Sequence, residues 1–451
     1  MKIIIIGSGA VGAAICSQLA RENHAITVID SNINAVNEIS NSLDIAGVHG
    51  NGADVSVLRE AGAEEADLLI AVTNEDELNI LCCLAAKKLG TANTVARVRN
   101  PEYTELVSLV RDDLNLSLTI NPEYAVAREI SNILKFPTAT RLDSFCGGRV
   151  DLAEFKVAEG SAFVGCSLFA LREKLGIKFL VCAVRRGENV YIPSGDFVIQ
   201  AGDTLGVTAD VAEITKLFKA SGSYKRPVKE LIINGGGRTT YYLGEMLKKS
   251  KINVVAIEHN AELCRDLAEA YPDFTVICGD GTNQELLIEE GIKNADAFLA
   301  LSSVDEENAI VSMFAKAQEV PKVVTMISSL PYIDFFKGVG IESIVSPKSS
   351  TVGYILRFVR SLVASADSEI EALYRIMGGK IEALEFRVKE SIDGVTDIPL
   401  RELKRKKDCI VCCIVRNNEV IIPTGTDMIL KDDTVIVTSG EKMNSIKDIR
   451  I

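Results

Sequence analysis

The stretch KIIIIGSGAVG, at residues 2–12, places three glycines in the order GxGxxG directly after four isoleucines. The isoleucine run predicts a buried strand of a parallel sheet, and the following segment, AAICSQLA, predicts a helix. Asp30 closes the next aliphatic run, 18 residues beyond Gly12. A strand, a glycine turn, a helix and an acidic residue at this spacing are typical of a dinucleotide-binding βαβ unit.

Each glycine of this turn has its own predicted role. Gly7 permits the tight turn, Gly9 lets the backbone approach a pyrophosphate, and Gly12 allows the helix and strand to pack closely. The N-terminus of the helix would present its N–H groups to the phosphates. Asp30 would accept hydrogen bonds from the hydroxyls of the adenine ribose, which favours NAD or an adenine nucleotide over NADP. The alternative is a purely structural glycine turn beside a solvated Asp30.

The chain carries this unit twice. KIIIIGSGAVG aligns with ELIINGGGRTT, so Gly7 matches Gly235, and Asp30 matches Glu258 at the same offset of 228 residues. HGNGAD recurs as CGDGTN, and LLIAVTNEDELNIL recurs as AFLALSSVDEENAI. FLVCAVRRGENVYIPSGD also resembles DCIVCCIVRNNEVIIPTG further along, with an offset of 230. The whole unit is therefore repeated.

Within each unit the sequence pattern changes once, which predicts an α/β fold with two kinds of lobe. Short aliphatic runs first alternate with helix-like segments, as expected for a Rossmann-like, mostly parallel sheet. In the later runs apolar and polar residues alternate, and Gly, Pro and Asp separate one run from the next. This pattern indicates antiparallel strands of a small α/β C-lobe. The segments PEYAVAREISNILKFP and SPKSSTVGYILRFVRSLV have the periodicity of helices that connect the lobes. The predicted domains are N-lobe 1 (1–125), C-lobe 1 (140–222), N-lobe 2 (228–348) and C-lobe 2 (370–451).

The second glycine loop departs from the pattern of the first. It has Thr240 in place of the third glycine and Arg238 inside the turn. The side chain of Thr240 would either widen the gap between helix and strand and spoil the dinucleotide geometry, or Arg238 would compensate by reaching a phosphate. The copy also has Met326 where the first copy has Arg97. Nucleotide binding by the second copy is therefore an open question at this stage.

Further candidate contacts lie at the ends of predicted strands, which border the ligand crevice of a doubly wound sheet. Thr73, Asn74 and Glu75 follow one such strand and would contact the cofactor or cap the next helix. Arg97, at the end of TVARV, would pair with a phosphate or a carboxylate. The candidate cofactor-binding residues are Gly7, Ser8, Gly9, Ala10, Val11, Gly12, Asp30, Asn51, Thr73, Asn74, Glu75 and Arg97, and, in the second copy, Gly235, Gly236, Gly237, Arg238, Thr239, Glu258, Asp280 and Ser302.

Composition restricts the classes of partner. The 451 residues carry a formal net charge of −13 without a long basic cluster, which argues against nucleic acid as a ligand. Met1 and Lys2 lead directly into a strand-like run, so we expect no signal peptide and a cytoplasmic protein. No apolar stretch has the length of a membrane-spanning helix, and any link to a membrane would need a partner.

The eleven cysteines are expected to be reduced thiols. Cys409 and Cys412 have the spacing of a metal site, but they lie in the strand-like run CIVCCIV and no second CxxC follows. Buried cysteines acting as small hydrophobic residues are the favoured interpretation, there and at Cys82 and Cys83. We therefore predict no metal site.

With these features assembled, the chain resembles the TrkA family, the regulatory subunits of bacterial Trk-type potassium uptake systems. The resemblance rests on the repeat, GSGAVG, Asp30, GNGAD, AVTNEDELNIL and Arg97, and it covers essentially the whole chain. It implies tandem RCK (KTN) domains that bind NAD(H) and the adenine nucleotides ATP and ADP. It also implies assembly into a ring, as a dimer or tetramer, that gates a membrane potassium-translocating subunit without chemistry. Such a protein would be peripheral on the inner face of the membrane.

The alternative is an NAD-dependent oxidoreductase, which needs a proton donor or acceptor near the nicotinamide. The three histidines, His24, His49 and His259, lie in positions typical of surface or capping residues. The modules after residues 150 and 380 are small and duplicate each other, whereas a dehydrogenase usually devotes a large domain to its substrate. There is no GxxxxGK[ST] loop for ATP hydrolysis. A purely structural role would leave the glycine loop and Asp30 unexplained.

Overall fold

A computed structural model describes residues 1–103, 116–146, 150–222, 227–341, 343–365, 370–443 and 445–450. The chain divides into two compact units. The first unit consists of Met1–Ser131 and Lys229–Leu356, and the second consists of Asn132–Val228 and Arg357–Ile451. Corresponding parts of the two repeats therefore belong to the same unit.

The first N-lobe is a six-stranded parallel sheet in the order β3-β2-β1-β4-β5-β6, the order of a doubly wound nucleotide-binding fold. Its central strand has Ile3 to Ile6 almost completely buried, since helices cover both faces of a parallel sheet. The elements are β1 (Lys2–Ile6), α1 (Ala10–Arg21), β2 (Ala25–Asp30), α2 (Ile33–Leu43), β3 (Ala46–His49), α3 (Val55–Glu60), β4 (Leu68–Ala71), α4 (Asp76–Leu89), β5 (Asn93–Arg97) and β6 (Leu118–Ile120).

The first C-lobe is a five-stranded sheet of antiparallel pairs in the order β10-β9-β11-β8-β7. The helix α5 leads into it from the first unit. The elements are α5 (Pro122–Lys135), β7 (Arg141–Phe145), β8 (Val150–Lys156), α6 (Leu168–Leu175), β9 (Phe179–Arg186), β10 (Asn189–Tyr191), β11 (Thr204–Ala209) and α7 (Val211–Ala220).

The second N-lobe repeats the parallel sheet, with the strand order β14-β13-β12-β15-β16-β17. A short 3-10 helix, Ile292–Asn294, precedes β15. The elements are β12 (Glu230–Asn234), α8 (Arg238–Leu247), β13 (Asn253–Glu258), α9 (Ala261–Ala270), β14 (Thr275–Cys278), α10 (Gln284–Glu289), β15 (Ala297–Ala300), α11 (Asp305–Ala317), β16 (Lys322–Met326), α12 (Leu330–Gly338) and β17 (Ser343–Val345).

The second C-lobe is again an antiparallel sheet, in the order β18-β19-β22-β20-β21. In the described part of this lobe the helical segments after α13 are two short 3-10 turns, Met377–Gly379 and Ile446–Ile449. The elements are α13 (Pro347–Ser365), β18 (Ile370–Ile376), β19 (Ile381–Arg387), β20 (Cys409–Arg416), β21 (Glu419–Ile421) and β22 (Thr434–Ser439).

These sheets confirm the predicted fold class, two repeats that each combine a parallel N-lobe with an antiparallel C-lobe. The two segments with connecting-helix periodicity are α5 and α13, and each begins in the first unit and ends in the second. The apolar stripe predicted for α13 is Val352, Ile355, Leu356 and Val359, of which the last three are buried and Val352 is partly buried. The numerical domain boundaries stay a prediction.

Buried cysteines occupy the contact between the two C-lobes within the second unit. Thr208 Oγ1 donates a hydrogen bond to the carbonyl of Cys412 (3.1 Å), and Thr438 Oγ1 donates the matching bond to the carbonyl of Cys182 (3.2 Å). Cys409 and Cys412 are buried in β20. Across the described ranges, no group of three or more His, Cys, Asp or Glu side chains is placed to hold a metal ion. None of the helices in those ranges combines the length and the apolar character that spanning a membrane requires.

Candidate functional site

The first glycine loop has the geometry that the sequence predicts. Gly7 adopts a φ of +99°, a conformation that L side chains rarely adopt. A Cβ atom built on Gly12 would lie 1.8 Å from the carbonyl oxygen of Gly7, so only glycine allows α1 to pack this closely on β1. A Cβ on Gly9 would meet nothing within 4 Å, so the side of the loop at Gly9 is open to a ligand.

The N-terminus of α1 faces this open side. Its N-cap residue is Gly9, and no side chain caps the first turn. Gly9 and Ala10 are exposed, whereas Val11 is buried. Uncapped amides at the start of a 12-residue helix form a suitable site for an anion such as a diphosphate.

Asp30, at the end of β2, is bound to the glycine loop. Its Oδ2 accepts hydrogen bonds from the Ser8 backbone N–H (2.6 Å) and the Ser8 hydroxyl (2.7 Å), and its Oδ1 accepts one from Asn32 N–H (2.8 Å). Burial alone would raise the pKa of Asp30, but these hydrogen bonds outweigh burial and hold the pKa below its ordinary value. Asp30 is therefore a carboxylate at neutral pH, as a ribose-binding residue must be.

A buried asparagine organises the rim of the first crevice. Asn79 Oδ1 accepts hydrogen bonds from the Thr73 N–H and hydroxyl, both 2.8 Å, and Asn79 Nδ2 donates to the carbonyls of Thr73 (3.2 Å) and Arg97 (2.9 Å). Asn74 and Glu75 are exposed at the same rim, and Glu75 is the N-cap residue of α4 without a side-chain cap bond. Asn51 is exposed and closes its own turn by accepting from Ala53 N–H (3.0 Å).

The second glycine loop accommodates a threonine, Thr240, at the position of the third glycine. Gly235 has a φ of +113°, and a Cβ on Gly237 would meet nothing within 4 Å, as at Gly9. Thr240 is buried, and its hydroxyl donates a 2.5 Å hydrogen bond to the carbonyl of Gly235, the counterpart of the Gly7 carbonyl. The threonine side chain is thus accommodated by a hydrogen bond, and the loop keeps its open approach at Gly237.

Glu258 takes the position of Asp30 in the second copy. Its Oε2 accepts from Gly236 N–H (2.7 Å) and its Oε1 accepts from Asn260 N–H (2.8 Å). His259 Nδ1 lies 2.9 Å from Oε1, although the side chain of His259 is 85% exposed. Asp280 is exposed and accepts hydrogen bonds from the N–H and hydroxyl of Thr282 in the following turn.

A cavity of about 1080 Å³ lies over the strand ends of the second N-lobe, within the first unit. It is lined by most of the second-copy candidates, and the first copy also contributes to its wall. The second-copy candidates at the cavity are Gly235, Gly237, Arg238, Thr239, Glu258, Asp280 and Ser302, and the residues from the first copy are Val11, Asn74, Arg97, Arg99, Pro122 and Glu123.

The two N-lobes contact each other beside this cavity. The hydroxyl of Tyr242, on α8, donates to the carbonyl of Arg99 (3.0 Å) and accepts from Asn121 Nδ2 (2.8 Å). The rings of Tyr124 and Tyr242 pack edge to face with centroids 5.6 Å apart. These contacts place the end of β5 from the first copy against the crevice of the second.

Arg97 lies at the rim of the first crevice and also lines the cavity of the second. It lines the same cavity as Met326, its own counterpart in the second copy. Its guanidinium donates to the Thr73 carbonyl and to Asn74 Oδ1 (3.2 Å), and its buried Nε has no hydrogen-bond partner among the described residues. Burial and the nearby Arg99 lower the pKa of Arg97 to about 10, so the side chain is still a cation at neutral pH.

One buried carboxylate faces the arginines. Glu123 lies 3.6 Å from Arg99, and its Oε2 is buried without a hydrogen bond in the described chain. Burial raises the pKa of Glu123, and the charges of Arg99, Arg238 and Arg97 only partly offset that effect. The first copy thus contributes two arginines, Arg97 and Arg99, and one carboxyl group, Glu123, to the cavity wall.

Sequence reasoning did not single out several residues of this site. Arg99, Glu123 and Lys348 line the cavity, and Asn79 with its counterpart Asn308 ties the strand ends together in both copies. The repeated DExN of NEDELN and VDEEN was a usable signal for the asparagines. No signal in a single sequence shows that Arg99 faces the other copy.

Comparisons with known proteins agree with this architecture. The TrkA-N domain pattern matches residues 3–116 and 231–347, and the TrkA-C domain pattern matches residues 152–222. A Trk system potassium uptake protein TrkA homolog of Archaeoglobus fulgidus is 31% identical over all of both chains. The Trk system potassium uptake protein TrkA of Halomonas elongata is 34% identical over 98% of this chain and 94% of its own.

A solved structure shares the fold. The GsuK channel bound to NAD superposes with a TM-score of 0.63, covering 97% of this chain and 76% of that chain, at 17% identity. At this level of identity the likeness shows the fold alone.

Proposed function

This chain belongs to the TrkA family, and from that membership we propose that it is a regulatory subunit of a potassium transport system that binds NAD(H) and adenine nucleotides. The observation that supports the proposal most directly is the shared cavity, in which Arg97 and Arg99 of the first N-lobe line the crevice of the second. A ligand there contacts both lobes, so its binding responds to their arrangement.

The first crevice would hold NAD(H). Gly9 leaves room for the diphosphate beside the uncapped start of α1, and Asp30 would accept the ribose hydroxyls. A carboxylate has about four acceptor positions, and Asp30 uses three for Ser8 and Asn32. One ribose hydroxyl fits without rearrangement, and a second is accommodated if the Ser8 hydroxyl rotates away. The residues present therefore fit the group.

The second crevice would hold an adenine nucleotide, ATP or ADP. Gly237 leaves an open approach at the start of α8, and Glu258 would accept from the ribose. The arginines Arg97, Arg99 and Arg238 line the cavity, and arginine is well suited to phosphate because its planar group donates several hydrogen bonds. The unpartnered Nε of Arg97 would gain an acceptor in this complex.

Regulation follows from differential affinity. A ligand shifts an equilibrium between two arrangements only by as much as it binds one of them better. A nucleotide that contacts Arg97 and Glu258 binds best when the two N-lobes stand in one relative arrangement. In a ring of such chains the change would be passed to a membrane-bound potassium-translocating subunit, with this chain peripheral on the cytoplasmic face.

The proposed role includes no catalysed reaction of the bound nucleotide. An oxidoreductase needs a proton donor or acceptor at the nicotinamide. His24 lies before β2, beside the N-terminal amine, and His49 ends β3 with its Nε2 3.1 Å from the Ser31 carbonyl oxygen. His259 borders the second cavity but is bound to Glu258. A regulatory, nucleotide-binding role is thus better supported than an oxidoreductase activity.

Calorimetry with the full chain tests the proposal. We expect saturable binding of NADH and ADP and no sustained NADH oxidation with candidate substrates. Asp30→Ala should weaken NADH binding, and Arg97→Met, which copies the residue at 326, should weaken ADP binding. Sustained turnover of NADH, or ligand binding that neither variant changes, would contradict the proposal. Potassium uptake by cells that lack their own regulatory subunit then tests the link to transport.

A further inference from the structure

Asn234 is a polar residue at the floor of the second crevice. It ends β12, lines the cavity and is only 6% exposed. Its side-chain amide makes no hydrogen bond in the described chain, and neither amide atom is sealed off from the surface. Both atoms are therefore available to a group that enters the cavity, since an asparagine amide offers an acceptor oxygen and a donor nitrogen.

The first copy has an isoleucine at this place. Ile6 ends β1 and is buried in the apolar core of the first N-lobe. In both copies a glycine turn packs on this side chain: a Cβ on Gly52 would lie 2.4 Å from Ile6, and a Cβ on Gly281 would lie 1.8 Å from Asn234 Oδ1. The backbone environment is the same, but only the second copy presents a donor and an acceptor to the crevice.

The position of the amide indicates which part of a nucleotide it meets. The glycine loop that would receive the phosphates follows β12, and Glu258, which would take the ribose, ends the neighbouring β13. The next strand outward is β14, and its following turn contains Gly281, against which the Asn234 amide packs. Phosphate, ribose and base in this order place the base at the Gly281 turn.

We propose that Asn234 is the base-selecting residue of the second crevice and makes that crevice specific for adenine. Its Oδ1 accepts from the adenine N6 amino group and its Nδ2 donates to N7, the pairing by which asparagine recognises adenine elsewhere. Hypoxanthine and guanine carry an oxygen at position 6, so their O6 and N7 are both acceptors and leave Oδ1 unpaired. The first crevice has Ile6 instead and binds its base without this discrimination. The inference rests on the proposed nucleotide binding of the second crevice.

The test compares ADP with inosine diphosphate, which differs from ADP in the base alone. Calorimetry on the full chain carrying Asp30→Ala, which weakens the first crevice, reports mainly on the second crevice. Adding Glu258→Ala identifies the component that belongs to that crevice. We expect the Glu258-dependent site to prefer ADP by about tenfold, the discrimination typical of one bidentate pair.

Asn234→Ile should reduce the preference for ADP over inosine diphosphate to within about twofold, chiefly by weakening the binding of ADP. An isoleucine fits this position in the first copy, where Ile6 packs against Gly52 in the same way. An unchanged melting temperature would show that the variant folds, and Asn234→Asp, which retains the acceptor but has no N–H to donate to N7, should also lose most of the preference.

Two results would overturn the inference in distinguishable ways. ADP binding that depends on Glu258 but keeps its full preference over inosine diphosphate in Asn234→Ile would refute the role of Asn234 alone. ADP binding that Glu258→Ala leaves unchanged, or no binding in the Asp30→Ala background, would refute nucleotide binding by the second crevice and this inference together.

Discussion

Gly9 is the N-cap residue of α1 and Gly12 lies in its first turn, yet an added methyl group should affect the two positions in opposite ways. At Gly12 the new Cβ would lie 1.8 Å from the Gly7 carbonyl oxygen, and real Cβ atoms essentially never come within 3.0 Å of another heavy atom. Relief of at least 1.2 Å must come from backbone, because the obstacle is a carbonyl of the loop itself. Overpacking that cannot be relieved by side chains costs about 3 kcal/mol, the upper end of its usual range.

Gly12→Ala should therefore lower the melting temperature of the first unit by roughly 6–12 °C. Gly9→Ala should not, because its φ of −62° suits alanine and its Cβ would meet nothing within 4 Å. That substitution should leave stability unchanged or raise it by up to about 1 kcal/mol. It should nevertheless weaken NADH binding about tenfold or more, because the methyl group occupies the approach of the diphosphate.

The assay is thermal unfolding followed by circular dichroism, together with calorimetry of NADH binding. Gly237→Ala is the matched control, since it occupies the same position in the second copy and should spare NADH binding at the first crevice. Gly9→Ala with the affinity of the unmodified chain would refute the phosphate approach at this loop. Gly12→Ala with unchanged stability would refute the close packing of α1 on β1.

Four further predictions concern single side chains. Asp30→Ala should weaken NADH binding by roughly 1 to 3 kcal/mol if its ribose hydrogen bonds are buried, measured by calorimetry. The pKa of Asp30 is lowered in the folded protein, so its contribution to stability is fully present above pH 3.8 and should be lost as the pH falls through the pKa of the folded state. An NMR titration of the carboxyl group would show the lowered pKa, and an ordinary pKa would contradict the prediction. Thr240→Ala should cost about 1 kcal/mol of stability through loss of the bond to Gly235, whereas a neutral result would mean that the bond does not hold the helix. Exposed Cys278 should react with a disulfide reagent in the native protein. Burial raises the pKa of Cys16 and of Cys82 to about 12, so these two thiols should react only after unfolding. Equal reaction rates for the three cysteines would refute the burial of Cys16 and Cys82.

Much of the fold could be predicted because its causes are local. The isoleucine run of β1 needs apolar cover on both faces, so it indicates a central parallel strand without reference to the rest of the chain. Gly7, Gly9 and Gly12 are fixed by backbone conformation and by contact with the adjoining strand and helix, and the structure gives them the geometry that their spacing predicts. Asp30 likewise lies one strand away from the loop that it binds.

The second crevice was harder to predict because side chains replace backbone rules there. A threonine at the third-glycine position predicts a widened gap between helix and strand or compensation by Arg238. The hydrogen bond from the Thr240 hydroxyl to the Gly235 carbonyl is neither of these, and it is visible only in the tertiary structure. Asn234 stood in the alignment opposite Ile6, but a polar residue at a strand end acquires meaning only when the cavity beside it is known.

By itself the sequence determined the duplication, the parallel and antiparallel sheets and the geometry of the first glycine loop, because each depends on residues close together in the chain or on the periodicity of burial. Only the tertiary structure decided that Arg97 and Arg99 of one copy line the crevice of the other. The physical reason is that this contact depends on how the two parallel sheets pack, through Tyr242 and Asn121, and no spacing within either copy encodes it.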